Sequence, residues 1–96
     1  MRCVSHRLAQ QDLLNAIAYY DEQTPGLGAE FLEAFDEAVA FIRRYPEGAP
    51  AVRGQIRRLV MPRFPYNIIY RLAGDHLRVL AVAHQRRSDQ FWSDRS

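Results

Sequence analysis

The chain contains no lysine: all thirteen of its basic residues are arginine. So uniform a bias reads as a compositional habit of the genome, and an arginine at any one site is therefore weak support for bidentate phosphate recognition. There is one cysteine, Cys3, which excludes an intrachain disulfide. The three histidines, His6, His76 and His84, are dispersed without metal-ligand spacing, so neither a metal nor a cofactor is expected. No apolar run approaches the roughly 20 residues of a membrane span. The opening Met1-Arg2-Cys3-Val4-Ser5-His6-Arg7 lacks the apolar stretch of a signal peptide, which makes the cytoplasm the expected location. Internal repeats and low-complexity segments are absent as well.

What remains is a chain of 96 residues with 48% apolar content, enough for one globular domain spanning 1–96. Its net charge of +2 conceals an asymmetry. Residues 1–52 set four arginines against eight carboxylates, and residues 53–96 set nine arginines against three, so the halves carry −4 and +6. That separation points to an anion-seeking or partner-docking face built from the second half.

The first half reads as helical. A short strand over residues 2–6 precedes a helix that starts near Ser5 or His6 and ends at Gln23, with Leu13, Ile17 and Tyr20 at helical spacing. Thr24-Pro25-Gly26-Leu27-Gly28 breaks it. A second helix, about Leu27 to Tyr45, places Phe31, Phe35, Ala38, Ile42 and Tyr45 on one stripe. At about 100° per residue, Leu32 and Val39 widen that stripe on one side and Ala34 and Phe41 on the other. The apolar arc is wider than one packing neighbour needs, which leaves surface for a partner.

Pro46-Glu47-Gly48-Ala49-Pro50 ends the helical half, and the period changes. A strand from Val52 or Gly54 to Met61 is closed by Pro62 and Pro65, and Tyr66 to Leu72 follows with Tyr66, Ile68, Tyr70 and Leu72 on one face. Gly74-Asp75 makes a two-residue turn into His76–His84, which is apolar in both phases, as a strand covered on both faces would be. Residues 85–96 are polar and arginine-rich, with Phe91-Trp92 as their anchor in a short helix or docked tail. The predicted class is α+β: a small antiparallel sheet under an N-terminal helical hairpin, in the order β-α-α-β-β-β.

Several residues admit two readings. His84 is either a strand-end histidine hydrogen-bonded to backbone, which its phase with Leu80 and Val82 favours, or an acid or base. Arg86 and Arg87 either snorkel over the core or contact a target. Arg57 and Arg58 are adjacent in one strand and point to opposite faces, so only one of them joins any single patch. Tyr66 and Tyr70 are core aromatics or stacking platforms, and Trp92 pins the tail or meets a partner.

Tyr19-Tyr20, Gly26-Leu27-Gly28 with Phe31-Leu32, Ile42 before Pro46, Arg57-Arg58, Arg63-Phe64-Pro65-Tyr66, Ile69-Tyr70, Leu80-Ala81-Val82-Ala83-His84, Arg86-Arg87 and Phe91-Trp92 together resemble the RelE/ParE superfamily of type II toxin–antitoxin toxins, most closely the ParE branch. The resemblance implies a plasmid-stabilising or growth-arresting toxin that inhibits DNA gyrase and is neutralised by a cognate antitoxin in a hetero-oligomer. It places target contacts at Arg58, Arg63, Arg86, Arg87, Trp92 and Arg95, and antitoxin contacts at Leu14, Tyr20, Leu32, Val39 and Phe41. The alternative is a RelE-like ribosome-dependent mRNA endoribonuclease using His84, Arg57, Arg63 and Arg86. Such chemistry needs a base, an acid and cations for the phosphorane charge. The chain departs from that branch in lacking a lysine pair and in having Phe91 where many relatives have tyrosine. It also has Ser5 and Arg7 where relatives have an aromatic and a proline.

Overall fold

The computed structural model describes residues 1–95. Strand β1 (Arg2–Ser5) leads into α1 (Arg7–Gln23), which forms a hairpin with α2 (Leu27–Arg44); β2 (Ala51–Arg53), β3 (Ile56–Val60), β4 (Tyr66–Ala73) and β5 (His76–His84) follow, and one 3₁₀ turn (Asp89–Phe91) lies in the tail. His6 caps α1: its Nδ1 accepts the Leu8 N–H at 3.0 Å, satisfying one of the orphan donors of the first turn. The turn between the helices is stitched by Asp21, whose Oδ1 accepts from the Gly26 and Gly28 N–H groups at 3.0 and 3.3 Å. Gly28 is required there, because a Cβ at that position would stand 2.6 Å from the Ile17 carbonyl oxygen.

The expected α+β class and helical hairpin stand, with two changes in the sheet. Its order is β1-β5-β4-β3-β2, and β1 joins β5 in parallel, so the sheet is mixed rather than wholly antiparallel. The cause is connectivity: β1 and β5 are joined through the whole intervening chain, which frees β1 to enter in either direction. The single strand expected up to Met61 is two, because Gly54 adopts φ 53° and turns β2 back against β3.

Between β4 and β5 the ladder runs Ile68↔Val82, Ile69↔Ala81, then Tyr70↔Val79. Leu80 is therefore an extra residue, a β-bulge. It shifts the alternation: Leu77, Val79 and Val82 face the helices, whereas Leu80 and Ala81 join Ile69 and Trp92 on the opposite face. This corrects the expected common phase of His84 with Leu80. His84 stays in phase with Val82 only, and its ring meets Tyr66 across the strands at 5.2 Å.

The main core lies between hairpin and sheet, around Phe31, Ile42, Ile68, Tyr70, Leu77 and Val79. Tyr20, Phe31, Phe64 and Tyr66 form an aromatic cluster within it, with centroids 4.9 to 6.0 Å apart. The tail covers the other face with Trp92, which is only 2% exposed. Burying that indole contributes on the order of 2 to 3 kcal/mol, enough to hold a segment with little regular structure.

Candidate functional site

A cleft of about 180 Å³ opens where α1 passes the ends of β4 and β5, lined by Asp12, Asn15, Tyr19, Tyr66, His84 and Arg87 among others. The strand bulge puts His84 there. Its Nδ1 accepts the Arg86 N–H at 3.1 Å, the backbone-bonded geometry that a strand-end histidine adopts, and its ring edge still faces the cleft. The Tyr66 hydroxyl has its ionisation pushed up by burial and by the neighbouring Tyr19, with Arg87 pulling the other way.

Asp12 closes the floor of the cleft. β1 ends at Ser5, opposite Val79, and the His6 N–H makes the last bond to that edge, on the Val79 carbonyl. Beyond it the edge of β5 lacks a strand. A carboxylate and a guanidinium take its place: Asp12 Oδ2 accepts from the Val82 N–H at 3.1 Å, and Arg95 Nη1 donates to the Leu80 carbonyl at 3.0 Å and to Asp12 Oδ2 at 2.6 Å. The two side chains are 10% and 8% exposed, so this is a largely buried pair that is also hydrogen-bonded to the backbone of β5. It also fastens the tail, helped by Arg58 with Asp89 at 2.9 Å and by Arg53 over the Trp92 ring at 5.3 Å.

The arginines singled out in the sequence are not gathered into one patch. Arg57 and Arg58 do face opposite ways: Arg57 donates to the Glu47 and Ala49 carbonyls below α2, and Arg58 turns to Asp89 on the tail. Arg63 pairs with Glu30 at 2.8 Å from a left-handed backbone of φ 73°, the only such non-glycine among the described residues. Of the residues expected at the target surface, Trp92 is buried and the Arg95 side chain is largely covered, because the tail spends them on docking. Arg86 and Arg87 are exposed, and Arg87 alone of the named arginines lines the cleft with His84. The conditional set His84, Arg57, Arg63 and Arg86 is therefore spread over three places.

The expected antitoxin contacts divide in the same way. Tyr20 and Val39 pack against the core, Tyr20 through its contacts with Phe31, Phe64 and Tyr66. Leu14, Leu32 and Phe41 remain exposed, at 60%, 39% and 44%. Phe41 lies in a mostly apolar groove with Glu37, Ala38, Leu59, Val60 and Pro62, beside the outer edge of β3, where β2 pairs with Ile56 and Arg57 and the Pro50 carbonyl takes the Arg58 N–H. Asp12 was missed by sequence reasoning. The signal was present: it sits between Ala9 and Ala16 at helical spacing, a carboxylate on a buried stripe.

Among the described residues no group of His, Cys, Asp or Glu could hold a metal ion, and no helix is long and apolar enough to cross a membrane. No curated protein matches the chain in sequence. A solved structure described as the chromosomal ParDE TA system from P. aeruginosa superposes with a TM-score of 0.77 at 20% identity, over 88% of this chain and 95% of that one. At that identity the likeness is one of fold. Residues 4–89 match the family described as the ParE toxin of type II toxin–antitoxin system, parDE, a span that runs from β1 through the bulged strand to the start of the tail turn. The chain thus belongs to the ParE toxin family.

Proposed function

We propose that the protein is a cytoplasmic toxin that inhibits DNA gyrase and arrests replication, and that a cognate antitoxin silences it. The observation that carries the antitoxin half is the apolar groove around Phe41 beside an open strand edge, on a chain whose family is defined by its pairing with an antitoxin. An amphipathic segment that folds on binding would fill the groove and extend the sheet. Leu32, also exposed, lies on the opposite flank of α2 and is outside this groove.

Membership of the ParE toxin family supports gyrase over mRNA as the target, and the scattered arginines weigh against the ribonuclease. A ribonuclease needs its base, acid and cations around one phosphate. Here Arg57 and Arg63 are committed elsewhere, there is no lysine, and Phe91 has no hydroxyl to give. Contact with gyrase would instead use the exposed Arg86 and Arg87 at the tail. Micromolar protein is expected to block supercoiling by gyrase from its own host and to cause double-strand breaks. Untouched supercoiling, together with ribosome-dependent cleavage of a reporter mRNA that His84→Ala abolishes, would overturn this in favour of the endoribonuclease.

A further inference from the structure

The cleft beside His84 gathers several side chains that can donate hydrogen bonds: Arg87, His84, Asn15, Tyr19 and Tyr66. Its one carboxylate, Asp12, is spent on Arg95 and the Val82 N–H. Arg87 is the reverse case: its guanidinium lies 4.7 Å over the Phe91 ring and has no carboxylate partner among the described residues. A guanidinium stacked on a ring is held in position while its in-plane N–H groups stay free, which is the fork that an oxyanion accepts.

The neighbouring groups complete that fork. His84 accepts a hydrogen bond at Nδ1 from the Arg86 N–H, so in its neutral form the ring proton sits on Nε2 and makes that nitrogen a donor. The Asn15 Oδ1 is taken by the Gln11 amide at 2.9 Å, which leaves the Asn15 NH₂ to donate. The Tyr66 hydroxyl makes no hydrogen bond among the described residues, and Tyr19, Arg87 and the Arg95-paired Asp12 all lie near enough to bias its ionisation. We propose that this cleft binds a phosphate monoester, with the phosphate held by Arg87, His84 and the Tyr66 hydroxyl.

Charge and size select that class. A carboxylate would leave part of so large a donor set unused, whereas a phosphate presents three oxygens to it. One unpaired cation cannot track a polyanion, whose binding grows with each phosphate neutralised. A volume of about 180 Å³ admits a phosphate and a sugar-sized group, and the exposed Tyr19 at the rim offers a face for an attached base. A free mononucleotide and the 5′ end of a nucleic acid strand share this chemistry. The inference stands apart from gyrase inhibition, and either can fail alone.

The test is titration of the full chain with inorganic phosphate, AMP, adenosine, and short oligonucleotides carrying a 5′-phosphate or a 5′-hydroxyl, followed by calorimetry and NMR. Phosphate and AMP are expected to saturate with shifts at Tyr19, Tyr66, His84 and Arg87, and adenosine is not. Arg87→Gln should weaken AMP at least about tenfold, the effect of losing a charged hydrogen bond. Tyr66→Phe, which keeps the ring in the aromatic cluster, should weaken it several-fold. Tighter binding of the 5′-phosphorylated strand than of AMP identifies a strand end as the ligand, and the opposite order identifies a free monoester. The proposal is overturned if neither phosphate nor AMP saturates at millimolar concentration, if the 5′-hydroxyl strand binds as well as the 5′-phosphate, or if Arg87→Gln binds like the parent.

Discussion

The cleft on the α1 side and the groove on the α2 side interrupt the same sheet in opposite ways. At the cleft, β5 runs past the end of β1, and its exposed carbonyl and N–H are met by Arg95 and Asp12. At the groove, β3 runs past its pairing with β2, and apolar Val60 and Phe41 stand beside the edge uncovered. One edge is closed from within the chain, at the cost of burying two charges. The other is left to something outside it. An unprotected apolar strand edge is a hazard that folded domains ordinarily blunt, so leaving it open makes sense where a partner is always at hand.

The sharpest way to break this contrast is to reopen the closed edge. Asp12→Ala leaves the Arg95 guanidinium buried without its counter-charge and the Val82 N–H unpaired, so urea denaturation should show a loss of about 3 kcal/mol or more. The double change Asp12→Leu with Arg95→Met removes both charges but satisfies neither β5 group. It should recover only part of the loss. Full recovery would mean that the pair neutralises itself and does no capping of the strand.

On the other flank the expectation is reversed. Phe41→Asp should cost the isolated domain no more than about 1 kcal/mol, because the ring is 44% exposed and makes its contacts at the surface. Binding of the cognate antitoxin should fall by roughly 2 kcal/mol, about thirtyfold, as for an aromatic anchor at the centre of an interface. Equal antitoxin affinity of parent and variant, measured by calorimetry, would remove the groove from the interface and leave its openness without a purpose.

How far these two regions could be read in advance follows from their physics. The stripe on α2 was legible down to its surplus width, because helical periodicity assigns each side chain a direction, and Phe41 falls off the core arc by its spacing alone. The fate of the arginines was not. Arg95, Arg58 and Arg63 find Asp12, Asp89 and Glu30 at separations of 83, 31 and 33 residues, pairings that only the folded chain brings about. His84 was misphased for a similar reason: a single extra residue at Leu80 inverts the alternation of everything after it, and an apolar run such as Leu80-Ala81-Val82-Ala83 carries no mark of where the extra residue lies.

The smallest effect is expected at the corner where β1 hands over to α1, and it tests whether the closed edge depends on charge state. His6 holds the start of α1 through Nδ1, which can accept the Leu8 N–H only while the imidazole is neutral. Burial, followed by Arg78, Arg95 and Arg7, pushes its proton affinity down, and Asp12 opposes them. The folded state thus binds a proton at His6 less readily than the unfolded chain, whose histidine titrates near about 6.5. Stability from this group is fully present above that value and is lost as pH falls through the lower folded one. His6→Asn keeps a capping oxygen and removes the titration, whereas His6→Ala removes the cap and costs about 1 kcal/mol at neutral pH. Denaturation midpoints of the parent and His6→Asn, followed from pH 7.5 downward, should therefore separate below about 6.5 with the parent losing more. Parallel curves through that range would show that protonating His6 leaves the cap, and the edge that begins beside it, undisturbed.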